Sequence, residues 1–149
     1  MLDIALVWDP DLQCADLAIV DGDLAVDQGL QTAVILSLFT DRLAAPDDAL
    51  PTSDPNRRGW WGDDPADPMG SRLWLLKRAK AIEETRQRAM EYCRESLAWM
   101  IEDGVAQKVT VSAQWLGIDR LGLGIAIVRH VAGGAPVDHS FDFAWSLVA

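Results

Sequence analysis

The stretch Lys108–Val131, "KVTVSAQWLGIDRLGLGIAIVRHV", alternates apolar and polar side chains with a period of two, the spacing of a strand with one buried face. It reads as a strand, a turn around Gly117 and a second strand, and "HSFDFAWSLV" reads as a third after Gly133-Gly134. Val109, Val111, Ala113 and Trp115 share one face, as do Ile125 and Ile127, and Phe141, Phe143 and Trp145, on their strands. An antiparallel meander with one apolar face follows, and that face must be covered by helices. The predicted fold class is therefore α+β.

Upstream the period changes. Ser71 is placed to cap a helix that opens "RLWLLKRAK" and runs through "AIEETRQRAMEYCRESLAWMIEDG" to a stop at Gly104. Its apolar stripe, Leu76, Ala79, Met90, Cys93, Leu97 and Met100, is interrupted by Glu83 and Arg86. The reading is one long helix or two collinear ones, with Glu83, Glu84, Arg86 and Arg88 solvated. A shorter amphipathic helix of about four turns starts at Gln28, with Leu30, Val34, Ile35, Leu38 and Phe39 at helical spacing, and Pro46 closes that segment. At the N-terminus "DIALVW" is a short strand, and Asp21-Gly22 in "ADLAIVDGDLAVD" turns a β-hairpin. Asp21, Asp23 and Asp27 cluster there, but no EF-hand pattern or closing Glu follows, so turn chemistry is the expectation and no metal is assigned.

Between the helices lies a loop over 46–70, "PDDALPTSDPNRRGWWGDDPADPMG", with five prolines, three glycines and neither periodicity. Adjacent indoles argue for an ordered or docking loop over a disordered linker. Trp and Arg are the types most enriched at interface hot spots, which makes Arg57, Arg58, Trp60, Trp61, Arg72 and Trp74 candidates for partner contact. The competing reading has Trp60 and Trp61 capping their own core while Arg57, Arg58 and Arg72 pair with nearby aspartates.

The chain has 149 residues and half its side chains are apolar, enough for one core, so a single domain spanning 1–149 is expected. No run of 18 or more apolar residues occurs, and "MLDIALVWDP" has no basic region before its short apolar run. Neither a membrane span nor a signal peptide is predicted. Cys14 and Cys93 read as free thiols. The net charge of −10 argues against nucleic acid and anionic membrane as partners. Residues 1–56 balance to −10, residues 57–94 to +3 and residues 95–149 to −3, an asymmetry that suits either a charged partner or a solvated basic helix face.

Signs of chemistry are few. His130 and His139 flank the last turn with no nucleophile pattern, and no glycine run has the context of a phosphate loop. Glu84, Glu91, Glu95 and Asp103 lie along one helix, where surface positions are the expectation. No catalytic residue, cofactor or enzymatic activity is assigned.

Taken in order, the "DGDL" hairpin, "DRLAAPDD", "RRGWWGD" followed by "GSRLWLL", and "YCRESLAWMIEDGVAQKVTV" resemble the small baseplate protein of Mu-like contractile-tail phages and prophages, over nearly the whole chain. That family is similar in turn to the lysozyme-like baseplate wedge proteins and to TssE of type VI secretion, where "lysozyme-like" is a historical label. The resemblance implies a structural subunit, present in six copies around the tail hub. It would bind larger wedge proteins, the hub or spike and the sheath, and help to start sheath assembly by strand addition. It would assemble in the host bacterial cytoplasm and end in the virion tail baseplate. The Glu-Pro-Arg motif frequent in the wider family is replaced here by Asp103-Gly104-Val105-Ala106, so its contacts are not carried over. On physical grounds the terminal strand with Phe141, Phe143 and Trp145, or its neighbour, offers an edge for augmentation. Two other readings compete: a peptidoglycan hydrolase of the tail, and a cytoplasmic adaptor domain.

Overall fold

A computed structural model describes residues 3–27, 29–130 and 132–148; Gln28 and Val131, which the sequence places at a helix start and a strand end, and the side chain of Asp27 lie outside the described residues. The fold is α+β. Six short strands lead, β1 (Asp3–Ile4), β2 (Leu6–Asp9), β3 (Cys14–Leu17), β4 (Ile19–Val20), β5 (Asp23–Leu24) and β6 (Val26–Asp27), followed by helices α1 (Leu30–Phe39) and α2 (Glu83–Glu102) and strands β7 (Lys108–Trp115), β8 (Arg120–Arg129) and β9 (Val137–Ser146).

The C-terminal sheet matches the alternation. Its order is β7-β8-β9, antiparallel throughout, with Val111 opposite Ile125 and Ile125 opposite Phe141. Val111, Ala113, Leu121, Leu123, Ile125, Ile127, Phe143 and Trp145 are buried, while the intervening Thr110, Ser112, Gln114, Asp138, Ser140 and Asp142 are exposed. The loop containing Gly117 closes with Leu116 N–H donating to Arg120 C=O at 2.8 Å.

Against this face lies α2, whose Ala89, Cys93, Leu97 and Met100 are fully buried at spacings of three and four that make one helical stripe. The long helix expected from Ser71 does not form. Leu73–Leu76 is a single 3-10 turn, and α2 begins only at Glu83. The cause is tertiary: Lys77 Nζ donates to Ser146 C=O at 2.6 Å, and Arg78 N–H donates to Leu147 C=O at 2.7 Å with Arg78 at φ 67°. A left-handed residue tied to the end of β9 breaks the helix. The four charged residues after the break are paired on the surface, Glu83 with Arg86 and Glu84 with Arg88.

Helix α1 is shorter than expected and less amphipathic. It ends at Phe39 because the next residues pair sideways: Ser71 N–H donates to Thr40 C=O at 2.9 Å and Arg42 N–H to Ser71 C=O at 3.0 Å. Of its ten residues only Leu36 is exposed. The Asp21-Gly22 turn forms as expected, with φ of 52° and 83° between the paired β4 and β5, the signature of a type I′ hairpin. A second hairpin, β2–β3, was not legible. Trp8 on β2 stacks on Phe39 at 3.7 Å, and Phe39 meets Phe143 edge-on at 5.5 Å, which locks this hairpin to α1 and β9. No helix among the described residues is long and apolar enough to cross a membrane.

Candidate functional site

The 46–70 loop is ordered by its own polar groups. Arg57 donates to the carbonyls of Ala45 and Asp48, Ala44 N–H donates to Arg57 C=O, and Asp48 accepts from Ala45 N–H. Arg58 (φ 57°) and Gly59 (φ 82°) then reverse the chain and throw the two indoles outward. Trp61 is 98% exposed and Trp60 41% exposed, their rings edge to face at 5.8 Å. Neither is a core residue. The reading that both rings cap the core therefore fails for Trp61, and Trp60 leans over Gly62.

The other candidates divide. Trp74 is buried, with its indole N–H donating to Arg42 C=O at 2.8 Å, and Arg58 lies over its ring at 4.7 Å while bonding Asp41 at 2.6 Å. Arg72 is forked between Glu95 (2.9 and 3.0 Å) and Asp48 (3.0 and 3.1 Å) and sits over Tyr92. Burial lowers its affinity for a proton, but the hydrogen bonds it donates to Glu95 and Asp48 outweigh that and raise its pKa. Phe143 and Trp145 are core residues and Phe141 is half-buried. Arg72, Trp74, Phe143 and Trp145 thus hold the fold together and do not present a surface, which leaves Trp60, Trp61 and Arg58 as the accessible group. Five of the nine basic side chains of the +3 region, Arg57, Arg58, Arg72, Arg86 and Arg88, have internal partners, whereas Arg78, Lys80 and Arg94 are exposed.

Beside Trp60 opens a cleft of about 440 Å³ between α1, the loop and α2. Leu36, Trp60, Met69 and Trp99 give it apolar walls, and Asp63, Asp64, Asp67 and Asp103 line it with acid. Asp63 and Asp64 accept N–H groups of Met69 and Ala66, which shapes the turn that carries them. None of the four is in an ion pair among the described residues. Sequence reasoning missed this cleft, because its walls come from three segments far apart in the chain.

The outer edge of β9 is a second accessible feature. Odd-numbered residues of β9 face β8, so the N–H and C=O groups of the even-numbered ones point away. Near the strand's end these are occupied: Ala144 C=O accepts from Trp8 Nε1 at 2.8 Å and Gln13 Nε2 at 3.4 Å, and Ser146 N–H donates to Gln13 Oε1 at 2.8 Å. Those of Asp138, Ser140 and Asp142 have no partner among the described residues.

The description "Phage protein GP46" matches residues 30–134, the span from α1 to the last turn. The chain is 40% identical over 147 residues to the baseplate protein gp46 of Escherichia phage Mu, covering 98% of this chain and 99% of that protein. It is 36% identical over 149 residues to the Mu-like prophage FluMu protein gp46 of Haemophilus influenzae, covering 99% of this chain and all of that protein.

Proposed function

Because the chain belongs to the family described as Phage protein GP46, whose relatives include a Mu baseplate protein, we propose that it is a structural component of a phage tail baseplate, acting as one domain. The observation that carries this reading is similarity at 40% identity along 98% of this chain and 99% of the Mu protein. Its partners are the larger wedge proteins, the hub or spike and the sheath, in six copies per baseplate, assembled in the host cytoplasm and retained in the virion. Trp60, Trp61 and Arg58 serve as an anchor for a neighbouring protein, an exposed pair of rings being what a docking surface needs and a monomer does not. The β9 edge serves for strand addition during sheath initiation.

Two measurements test it. Tails purified from cells carrying the phage should contain this protein, and disrupting its gene should leave tails without assembled sheath; normal sheathed tails from the disrupted phage would overturn the proposal. Hydrogen exchange should show residues 138–142 slowed in assembled tails relative to the free subunit. The acid-lined cleft keeps one enzymatic alternative on the table, glycan hydrolysis by two carboxylates. Clearing in a peptidoglycan zymogram, abolished by Asp67→Asn or Asp103→Asn, would favour it.

A further inference from the structure

The outer edge of β9 is open along half its length and closed along the other half by side chains. Gln13 is the unusual part of the closure. Its carboxamide takes the N–H of Ser146 and reaches the C=O of Ala144, flanking Trp145 as one residue of a parallel neighbouring strand would. It is held in that position at φ 53° by a hairpin loop fastened at three points. Asp9 accepts the N–H groups of Asp11 and Leu12, Arg120 donates to Pro10 C=O at 3.0 Å, and Trp8 is stacked into the core. Such a cap satisfies the edge where it sits and obstructs any strand that would run past it.

The open half has its own chemistry. Asp138, Ser140 and Asp142 present outward backbone groups with no partner among the described residues, and their side chains lie exposed on the outer face of the sheet. Neither Asp138 nor Asp142 has a cation in ion-pair reach among the described residues. The strand carries no Lys or Pro, the residues that commonly guard an edge. On the inner face Phe141 is half-buried beside the opening. A second copy of β9 is a poor occupant, because antiparallel pairing centred on Ser140 would set Asp138 against Asp142.

Resting on the reading of β9 as an assembly edge, we propose that Asp138–Asp142 accepts an extended segment of another protein with basic side chains alternating with apolar ones, and that the Gln13–Trp8 cap is a stop that fixes where this segment ends. Basic residues on the outer face pair with Asp138 and Asp142, and apolar ones on the inner face cover Phe141. The stop confines the added strand to one register, which an edge of plain backbone would not do.

The test uses the full chain and a short Lys-Val alternating peptide, read by amide hydrogen exchange. The peptide should slow exchange at Ser140 and Asp142 by about tenfold or more, leaving the already protected Ser146 unchanged. A Glu-Val peptide and an N-methylated Lys-Val peptide should have no effect. Ser140→Pro should abolish the protection at Asp142 while preserving cooperative unfolding, since its outward N–H is not part of the ladder. Gln13→Ala should speed exchange at Ser146 and allow the Lys-Val peptide to protect it. Equal protection by the Glu-Val peptide would overturn the charge selection, and unaltered exchange at Ser146 in Gln13→Ala would overturn the stop. No protection by any peptide would overturn the site itself. A subunit that binds the peptide but is missing from purified tails would count against the baseplate role and leave this site standing.

Discussion

Arg72 shows at the scale of one residue why an apparent interface side chain is a structural one. Its two carboxylate partners come from the loop and from α2, and it also covers Tyr92, so it ties the loop to the helix. Arg72→Ala leaves Asp48 without its cation and Glu95 with only the longer contact to Arg42 at 3.7 Å. Half-buried pairs cost less to break than fully buried ones, so the expected loss is about 2 kcal/mol, read from the urea midpoint. Arg72→Lys should lose a large part of that, because an ammonium cannot fork between two carboxylates. A loss under about 0.5 kcal/mol for Arg72→Ala would mean that the cluster is merely a surface decoration. Cys93 gives a second residue-scale expectation. Burial pushes its thiol from 9.0 up to about 12, whereas Cys14 is exposed. A thiol reagent should therefore modify one cysteine in the native protein and the second only after unfolding. The sign of the pH effect follows: the folded state keeps the Cys93 proton longer than the unfolded state, so this contribution is constant below about pH 9 and is lost as pH rises toward 12.

At the scale of elements, the junction between α1 and the start of the 3-10 turn depends on Gly70. It has φ 97°, and a Cβ there would press on the carbonyl of Thr40, where that carbonyl already receives Ser71 N–H. Gly70→Ala should cost about 2 kcal/mol or more, strain and clash together, visible as a lower melting temperature. Gly104→Ala, also at positive φ but facing open space, should cost about 1 kcal/mol. Equal effects would show that the Thr40 contact is not what makes Gly70 necessary. The same junction marks the limit of what the sequence made legible. Residues 108–146 could be read strand by strand because one face is buried and the other wet, so every second side chain reports its position. The Asp21-Gly22 turn was legible for a local reason too, both central residues being at home at positive φ. The helix start at Ser71 was misread because the decisive bonds join Lys77 and Arg78 to Ser146 and Leu147, partners remote in sequence that no local periodicity encodes. The indole pair was legible as a docking candidate from composition, but the burial of Trp74 was not, because a Trp outside a regular alternation reads the same whether its ring turns in or out.

At the scale of the whole molecule, the seven tryptophans divide into five that are buried or half-buried and the exposed pair Trp60 and Trp61, and that division yields a test. Phe143 and Trp145 lie in the core, so replacing either by Ala should cost about 3–5 kcal/mol and remove most of the stability of a chain this size. Trp61, almost wholly in water, has little packing to lose, and Trp60 gives up chiefly its edge contact with Trp61 and its cover over Gly62. The double variant Trp60→Ala/Trp61→Ala should therefore unfold cooperatively, with a stability change within about 1 kcal/mol. Its effect should appear only when a partner is present. Hot-spot indoles are worth about 2 kcal/mol each, and about 1.4 kcal/mol is a factor of ten in affinity, so incorporation of the variant into tails, in competition with wild-type subunit, should fall by tenfold or more. Arg58→Ala should lower incorporation less, because its guanidinium is already held by Asp41 and by the ring of Trp74. Loss of cooperative unfolding in the double variant would return the two rings to the core. Wild-type incorporation with intact folding would move the contact surface elsewhere, to the acidic cleft or the edge of β9.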